Sequence, residues 1–262
     1  MSGKHLLLTG ATGYLGCALL ACVTPNSFSK VTGVLRDGAM APNVSGVHWI
    51  THSDLMNDPS SLLGVDIICH LAVPRGGDNG SDLARYLEDL RKLLDKASKS
   101  DVAGFMFASS QAVYGAGKPP WNETALPAPL TPYGWAKLAG EHLLISAQDS
   151  NRGMRCINLR IPKLVGPGER FRMNSGEYVH ILAFSVLQES IIGLSESFLK
   201  QKLDFLDVRD AGKVLRDIIQ LDFALWPNVL NIGTGQFVDG AELVTIINEY
   251  SINNKRKPLY RK

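Results

Sequence analysis

At 262 residues, 45% hydrophobic and 20% charged, the chain is long enough for one large domain or a core domain with a smaller appendage. A net charge of +2 argues against a nucleic-acid or membrane-surface footprint, and no apolar run approaches the roughly 20 residues of a membrane span. The N-terminus runs directly into an apolar strand with no signal-peptide core, so a reducing, cytoplasmic setting is expected. Cys17, Cys22, Cys69 and Cys156 lack metal-type spacing and are expected to be small buried hydrophobes. His48 and His52, four apart in a predicted extended segment, sit about 13 Å from each other and read as surface residues, with no metal expected.

In chain order, residues 5–9 form a short apolar run, long enough for a buried parallel strand and too short for a helix. Gly10, Gly13 and Gly16 follow at spacings of three, and residues 17–23 read as a helix. Strand, glycine turn and helix together make a dinucleotide fingerprint. Gly10 permits the tight turn, Gly13 lets the main chain approach a pyrophosphate, and Gly16 lets the helix pack on the sheet. The helix N-terminus then offers free N–H groups to the phosphates.

A second strand, 30–35, ends at Leu35-Arg36-Asp37. An Arg at this end of a dinucleotide fold pairs with the 2′-phosphate of NADP, whereas an acid binds the ribose hydroxyl of NAD. Arg36 favours NADP; Asp37, one step later, keeps NAD open. A third strand, 47–50, leads to Asp54, placed to reach the adenine edge, with Leu55 beside it. A fourth strand, 66–71, opens into a glycine-rich loop at a strand's C-terminal end, where ligands bind in open α/β sheets. Leucines at 83, 87, 90, 93 and 94 give the predicted helix 82–99 an apolar stripe for the sheet or a partner subunit. After a fifth strand, 104–108, Thr131-Pro132 reads as an N-cap and first helical residue of helix 132–150. Tyr133 and Lys137 share one face of that helix, so the ammonium can draw the phenol toward a working acid or base. The alternation of strands and helices predicts a doubly wound parallel sheet.

The stretches TGATGYLG (9–16), DIICHLA (66–72), FASSQAVYG (107–115), PYGWAK (132–137), LRIPKLVGPGER (159–170), FLDVRDAGKVL (205–215) and VLNIGTG (229–235) resemble, in order, the extended short-chain dehydrogenase/reductases. Within these the resemblance is to the NAD(P)-dependent epimerase/dehydratase family, which acts mostly on nucleotide sugars. It implies a Rossmann domain over 1–161 and a small, intermixed C-terminal substrate-binding part over 162–262, with 205–235 returning to the core. It also implies that Ser110 holds the substrate oxygen, Tyr133 transfers the proton, Lys137 binds the nicotinamide ribose, and Pro162 lies near the nicotinamide. The cofactor would touch Gly10, Thr12, Gly13, Tyr14, Leu15, Gly16, Arg36, Asp54, Leu55, Leu71, Ala72, Val73, Ala108, Tyr133, Lys137 and Pro162. Arg75, Ser110, Gln111, Lys163 and Arg172 are the candidate substrate contacts, and Arg170 is a further candidate anion contact. A homodimer through helices 82–99 and 132–150 is implied too.

Several positions depart from the family's pattern. Lys163 stands where many relatives have Asn, Leu203 where many have an Arg for the diphosphate, and Arg209 where Asp is frequent. Helix 82–99 has no Asn, and the stretch after Gly240 is short, so an open substrate pocket is expected. The leading expectation is an NADPH-dependent reductase of a keto-sugar, a nucleotide-linked 4-keto-6-deoxyhexose. The alternatives are an epimerase/dehydratase that keeps NAD bound and a non-catalytic NADP-binding sensor.

Overall fold

The computed structural model describes residues 3–23, 27–74, 80–115, 117–150, 153–167, 182, 185 and 193–253. Seven apolar segments pair into one sheet: β1 (Lys4–Thr9), β2 (Phe28–Leu35), β3 (Val47–Thr51), β4 (Ile67–His70), β5 (Gly104–Ser110), β6 (Arg155–Ile161) and β9 (Val229–Asn231). Their order is β3-β2-β1-β4-β5-β6-β9, and every neighbouring pair is parallel. Helices cover both faces, which is why the central strands read as continuous apolar runs. In β1, Leu6 and Leu8 join one core layer and Leu7 the other, as a two-residue side-chain period requires.

One layer lies under α1 (Tyr14–Cys22) and α6 (Val208–Gln220), the other under α3 (Gly80–Ser98) and α4 (Pro132–Ser150). The first two helices meet closely because Gly212 has no side chain; a Cβ there would lie 2.7 Å from the backbone of Ala18. A second sheet, β10 (Phe237–Asp239), β8 (Lys202–Asp207) and β7 (Lys163–Val165), packs with α5 (Glu196–Leu199) and α7 (Gly240–Asn253) around Phe198, Leu203 and Leu243.

The strand order reverses at β1: β2 and β3 lie to one side, β4 onward to the other, with all strands parallel. Ligands of open α/β sheets bind at such a switch point, beyond the carboxyl ends of the strands.

Two expectations need correction, and the use of the α3 stripe, left open between the sheet and a partner, is decided. Only Cys69 and Cys156 are buried; Cys17 is exposed and Cys22 half-buried, because α1 turns Gly16, Leu19 and Leu20 toward the sheet and these two away. Residues 52–57, unassigned in the sequence reading, form the short helix α2 (His52–Asn57), so His48 lies on a strand and His52 opens a helix. The stripe of α3 is spent on the sheet, with Leu83, Leu90, Leu93 and Leu94 at most 6% exposed. Among the described residues no helix is long and apolar enough to cross a membrane.

Candidate functional site

The glycine turn is built as a cradle. Gly10 has φ +68°, and Gly13 N donates to Gly10 O at 2.8 Å, closing the turn before α1. A Cβ on Gly10 would lie 2.7 Å from the Leu71 carbonyl carbon and the Ala72 nitrogen, and one on Gly16 would lie 2.2 Å from Gly10 O. Thr9 holds the end of β4 against this turn: its carbonyl accepts from Leu71 N at 3.2 Å and its Oγ1 from Ala72 N at 3.3 Å. The first turn of α1 has no acidic residue, and its N-cap, Gly13, makes no side-chain cap. Thr12, Tyr14, Leu15 and the exposed Val73 flank this space, and the Tyr14 hydroxyl donates to Gly166 O at 2.7 Å. Bare backbone at a helix N-terminus fits a pyrophosphate, the central group of a dinucleotide.

At the adenosine end, Arg36 is exposed and directly follows β2. Asp37 Oδ1 accepts from Ser53 N at 2.9 Å, a bond that holds its carboxyl below the usual range. Asp54 is the third residue of α2 and closes a capping box: Oδ2 accepts from Thr51 N at 2.9 Å, and Asp54 N donates to Thr51 Oγ1 at 3.0 Å. Leu55 is 1% exposed and belongs to the core, so any contact it makes is left to its backbone. Its carbonyl already accepts from Ser61 Oγ at 3.0 Å.

Ser110 ends β5 and caps a 3-10 turn over Gln111–Tyr114, its Oγ accepting from Ala112 N at 3.1 Å. Thr131 Oγ1 accepts from Gly134 N at 3.1 Å, fixing the start of α4 as the sequence suggests. Gly134 brings the first turn of α4, which carries Tyr133, against that 3-10 turn; a Cβ there would lie 2.8 Å from Ala112 O. Lys137 is 2% exposed, and its Nζ donates to Ala108 O at 2.7 Å and to the Tyr86 hydroxyl at 3.0 Å. Its Nζ also faces the rings of Phe107 at 4.8 Å, Tyr86 at 5.2 Å and Tyr133 at 5.7 Å. Burial lowers the Lys137 ammonium to about 7, with Glu141 opposing the shift.

Among the candidate substrate contacts, Gln111 Nε2 donates to the buried Asp204 at 3.2 Å, and Asp204 also accepts from Thr234 Oγ1 at 2.7 Å. Pro162 is buried between β6 and β7, and Lys163 opens β7, half-buried. Arg75, Arg170 and Arg172 lie outside the described residues.

The sequence reading passed over three groups. Tyr86 sits on the leucine stripe of α3, three residues after Leu83, where an aromatic with a polar tip signals a partner in the core. His70 is buried, 6.0 Å from the Tyr86 ring, with Nδ1 2.9 Å from Thr9 Oγ1. Burial lowers it to about 3, aided by Lys137, so it is neutral at working pH. Behind the site, Arg160 and Glu141 form a buried bidentate pair at 3.0 and 2.7 Å, and Ser109 Oγ donates to the same carboxylate.

The profile of the NAD dependent epimerase/dehydratase family matches residues 6–233. The uncharacterized UDP-glucose epimerase YtcB of Bacillus subtilis is 27% identical, over 94% of this chain and 82% of its own. The methionine adenosyltransferase 2 subunit beta of Bos taurus is 31% identical over 83% of this chain, which spans 62% of that subunit. The structure of MoeE5 in complex with UDP-glucose and NAD matches at a TM-score of 0.79 and 27% identity, over 98% of this chain and 84% of that one. The glycine cradle, the seven-stranded parallel sheet and a match over most of the chain agree: the protein belongs to the NAD dependent epimerase/dehydratase family, enzymes of the extended short-chain dehydrogenase/reductase type.

Proposed function

We propose that the chain uses NADPH to reduce a keto group on a nucleotide-linked sugar. The observation that supports the cofactor preference is at the tip of β2, where Arg36 is exposed and the Asp37 carboxylate is engaged by Ser53 N. The nicotinamide, when bound, supplies the hydride. Ser110 holds the substrate oxygen, Tyr133 delivers the proton to it, and Lys137 draws the phenol toward ionisation while reaching the ribose. Gln111 and Lys163 lie on the substrate side, with Pro162 against the nicotinamide. The intact pairing of Tyr133 with a caged Lys137 argues against a non-catalytic sensor, which needs no tuned phenol.

A second reading, a nucleotide-sugar epimerase or dehydratase working on retained NAD, is favoured by the name of the Bacillus subtilis relative and by the NAD bound to MoeE5. Purification and calorimetry separate the two. The protein is expected to arrive free of cofactor and to bind NADPH roughly ten- to a hundredfold more tightly than NADH, the value of one Arg–phosphate pair. It should consume NADPH mole for mole with a nucleotide-linked 4-keto-6-deoxyhexose. Bound NAD and interconversion of two sugars, with no net change in nicotinamide absorbance, would establish the epimerase reading instead.

The partner proposed is a second copy of the chain, joined through α3 and α4. Because the leucines of α3 face the sheet, the contact uses the outer surface: Arg91, Asp95, Leu143, Ala147 and Trp135, the last 58% exposed. Light scattering on dilute protein should give twice the 28.5 kDa of one chain, and a monomer would end this proposal.

A further inference from the structure

The Lys137 ammonium has three N–H donors, and among the described residues two of them are spent. One goes to Ala108 O on β5 and one to the Tyr86 hydroxyl on α3, which leaves one for a ligand. Ala108 supplies only a carbonyl, a partner that any residue there would provide. Tyr86 supplies a side-chain oxygen from a separate element, 51 residues away in the chain. We infer that Tyr86 is a positioning residue for the hydride-transfer site: its hydroxyl, accepting from Lys137 Nζ, fixes where the remaining N–H points.

This rests on the role proposed for Lys137. Tyr86 is 7% exposed, and its phenol is held well above the ordinary value by burial first and by Tyr133 second. It therefore stays neutral and serves as an acceptor, not as a second proton donor. Its ring stacks on the buried His70, 6.0 Å away and inclined by 28°, so the oxygen is presented from a packed support. Among the described residues the titratable groups that face the ammonium are Tyr86 from α3, Tyr133 and Glu141 from α4, and His70 from β4. Glu141 favours the charged lysine, while burial disfavours it. A neutral acceptor at 3.0 Å adds to the side of Glu141, because it bonds the ammonium better than the amine.

The test is Tyr86→Phe, which keeps the ring and removes only the acceptor, with Tyr86→Met as a second variant lacking the hydroxyl. Lysine labelled at Cε is titrated by NMR in the protein without substrate, and the Lys137 signal is assigned by its absence in Lys137→Arg. The expected result is a Lys137 titration about one unit lower in both variants, the value of one hydrogen bond to a charged group. NADPH affinity measured by calorimetry at pH 7 should fall about tenfold with it. An unmoved titration and an unmoved affinity would make Tyr86 a packing residue and overturn the inference. Failure of the functional reading shows separately, as a parent protein that binds neither NADPH nor NADH; the titration still decides whether Tyr86 holds the ammonium.

Discussion

Tyr133→Phe is expected to lower turnover roughly a hundred- to ten-thousandfold while leaving cofactor affinity within about a factor of two, because only the oxygen proposed to transfer the proton is lost. The ring stays, and with it the aromatic face 5.7 Å from Lys137 Nζ. Stopped-flow rates of nicotinamide oxidation, set beside calorimetric affinities, check both halves. A variant that keeps more than about a tenth of the rate would move the acid role to another group. The half-buried Tyr133 stands in the first turn of α4, whose start is fixed by Thr131 and by the close approach of Gly134 to Ala112. Little reorganisation of the backbone is therefore open to the variant, and a loss of rate reports chemistry, not a displaced helix.

The parts of the fold that the sequence made legible are those governed by short-range rules. Apolar runs of strand length gave β1 to β5 within two residues at each end, and Thr131-Pro132 gave the start of α4. The glycine cradle was equally plain, since only glycine tolerates φ +68° at position 10 and the contact of position 16 with the turn. What escaped depends on tertiary structure or on competing uses of one residue. The helix α2 escaped because six residues are too short to show a period, so the capping box that Thr51 closes with Asp54 was its one signal. Cys17 follows an apolar pattern but lands on the outer face of a nine-residue helix. Tyr86 looks like one more residue of a core stripe until α4 delivers Lys137 to its hydroxyl, and no periodicity within α3 can announce that.

The second large effect is structural and lies behind the site. Glu141→Ala is expected to destabilise the fold by about 3–5 kcal/mol, because it leaves the Arg160 guanidinium buried without its counter-charge. Arg160 and Glu141 are 4% and 3% exposed at the side chain, and Arg160 Nη1 already lacks a hydrogen-bond partner among the described residues. After the substitution the Tyr114 ring, 4.7 Å from the guanidinium carbon, would still face the charge but could not neutralise it, and Ser109 would lose its acceptor too. For a chain of this length the loss corresponds to roughly 10 °C in the melting midpoint. The pair joins β6 to α4, with Ser109 adding β5, so it ties together the elements that present Ser110 and Lys137. The discriminating variant is the double substitution Glu141→Leu with Arg160→Met, which removes both charges and keeps most of the volume. It should recover most of the stability, since an apolar pair carries no desolvation cost. Its Lys137 should still titrate below the parent's, because the carboxylate one turn away no longer favours the ammonium. A single variant that melts within about 2 °C of the parent would show instead that the guanidinium does not depend on Glu141. A double variant as unstable as the single one would place the value of this cluster in its shape and hydrogen bonds, not in the neutralised charge.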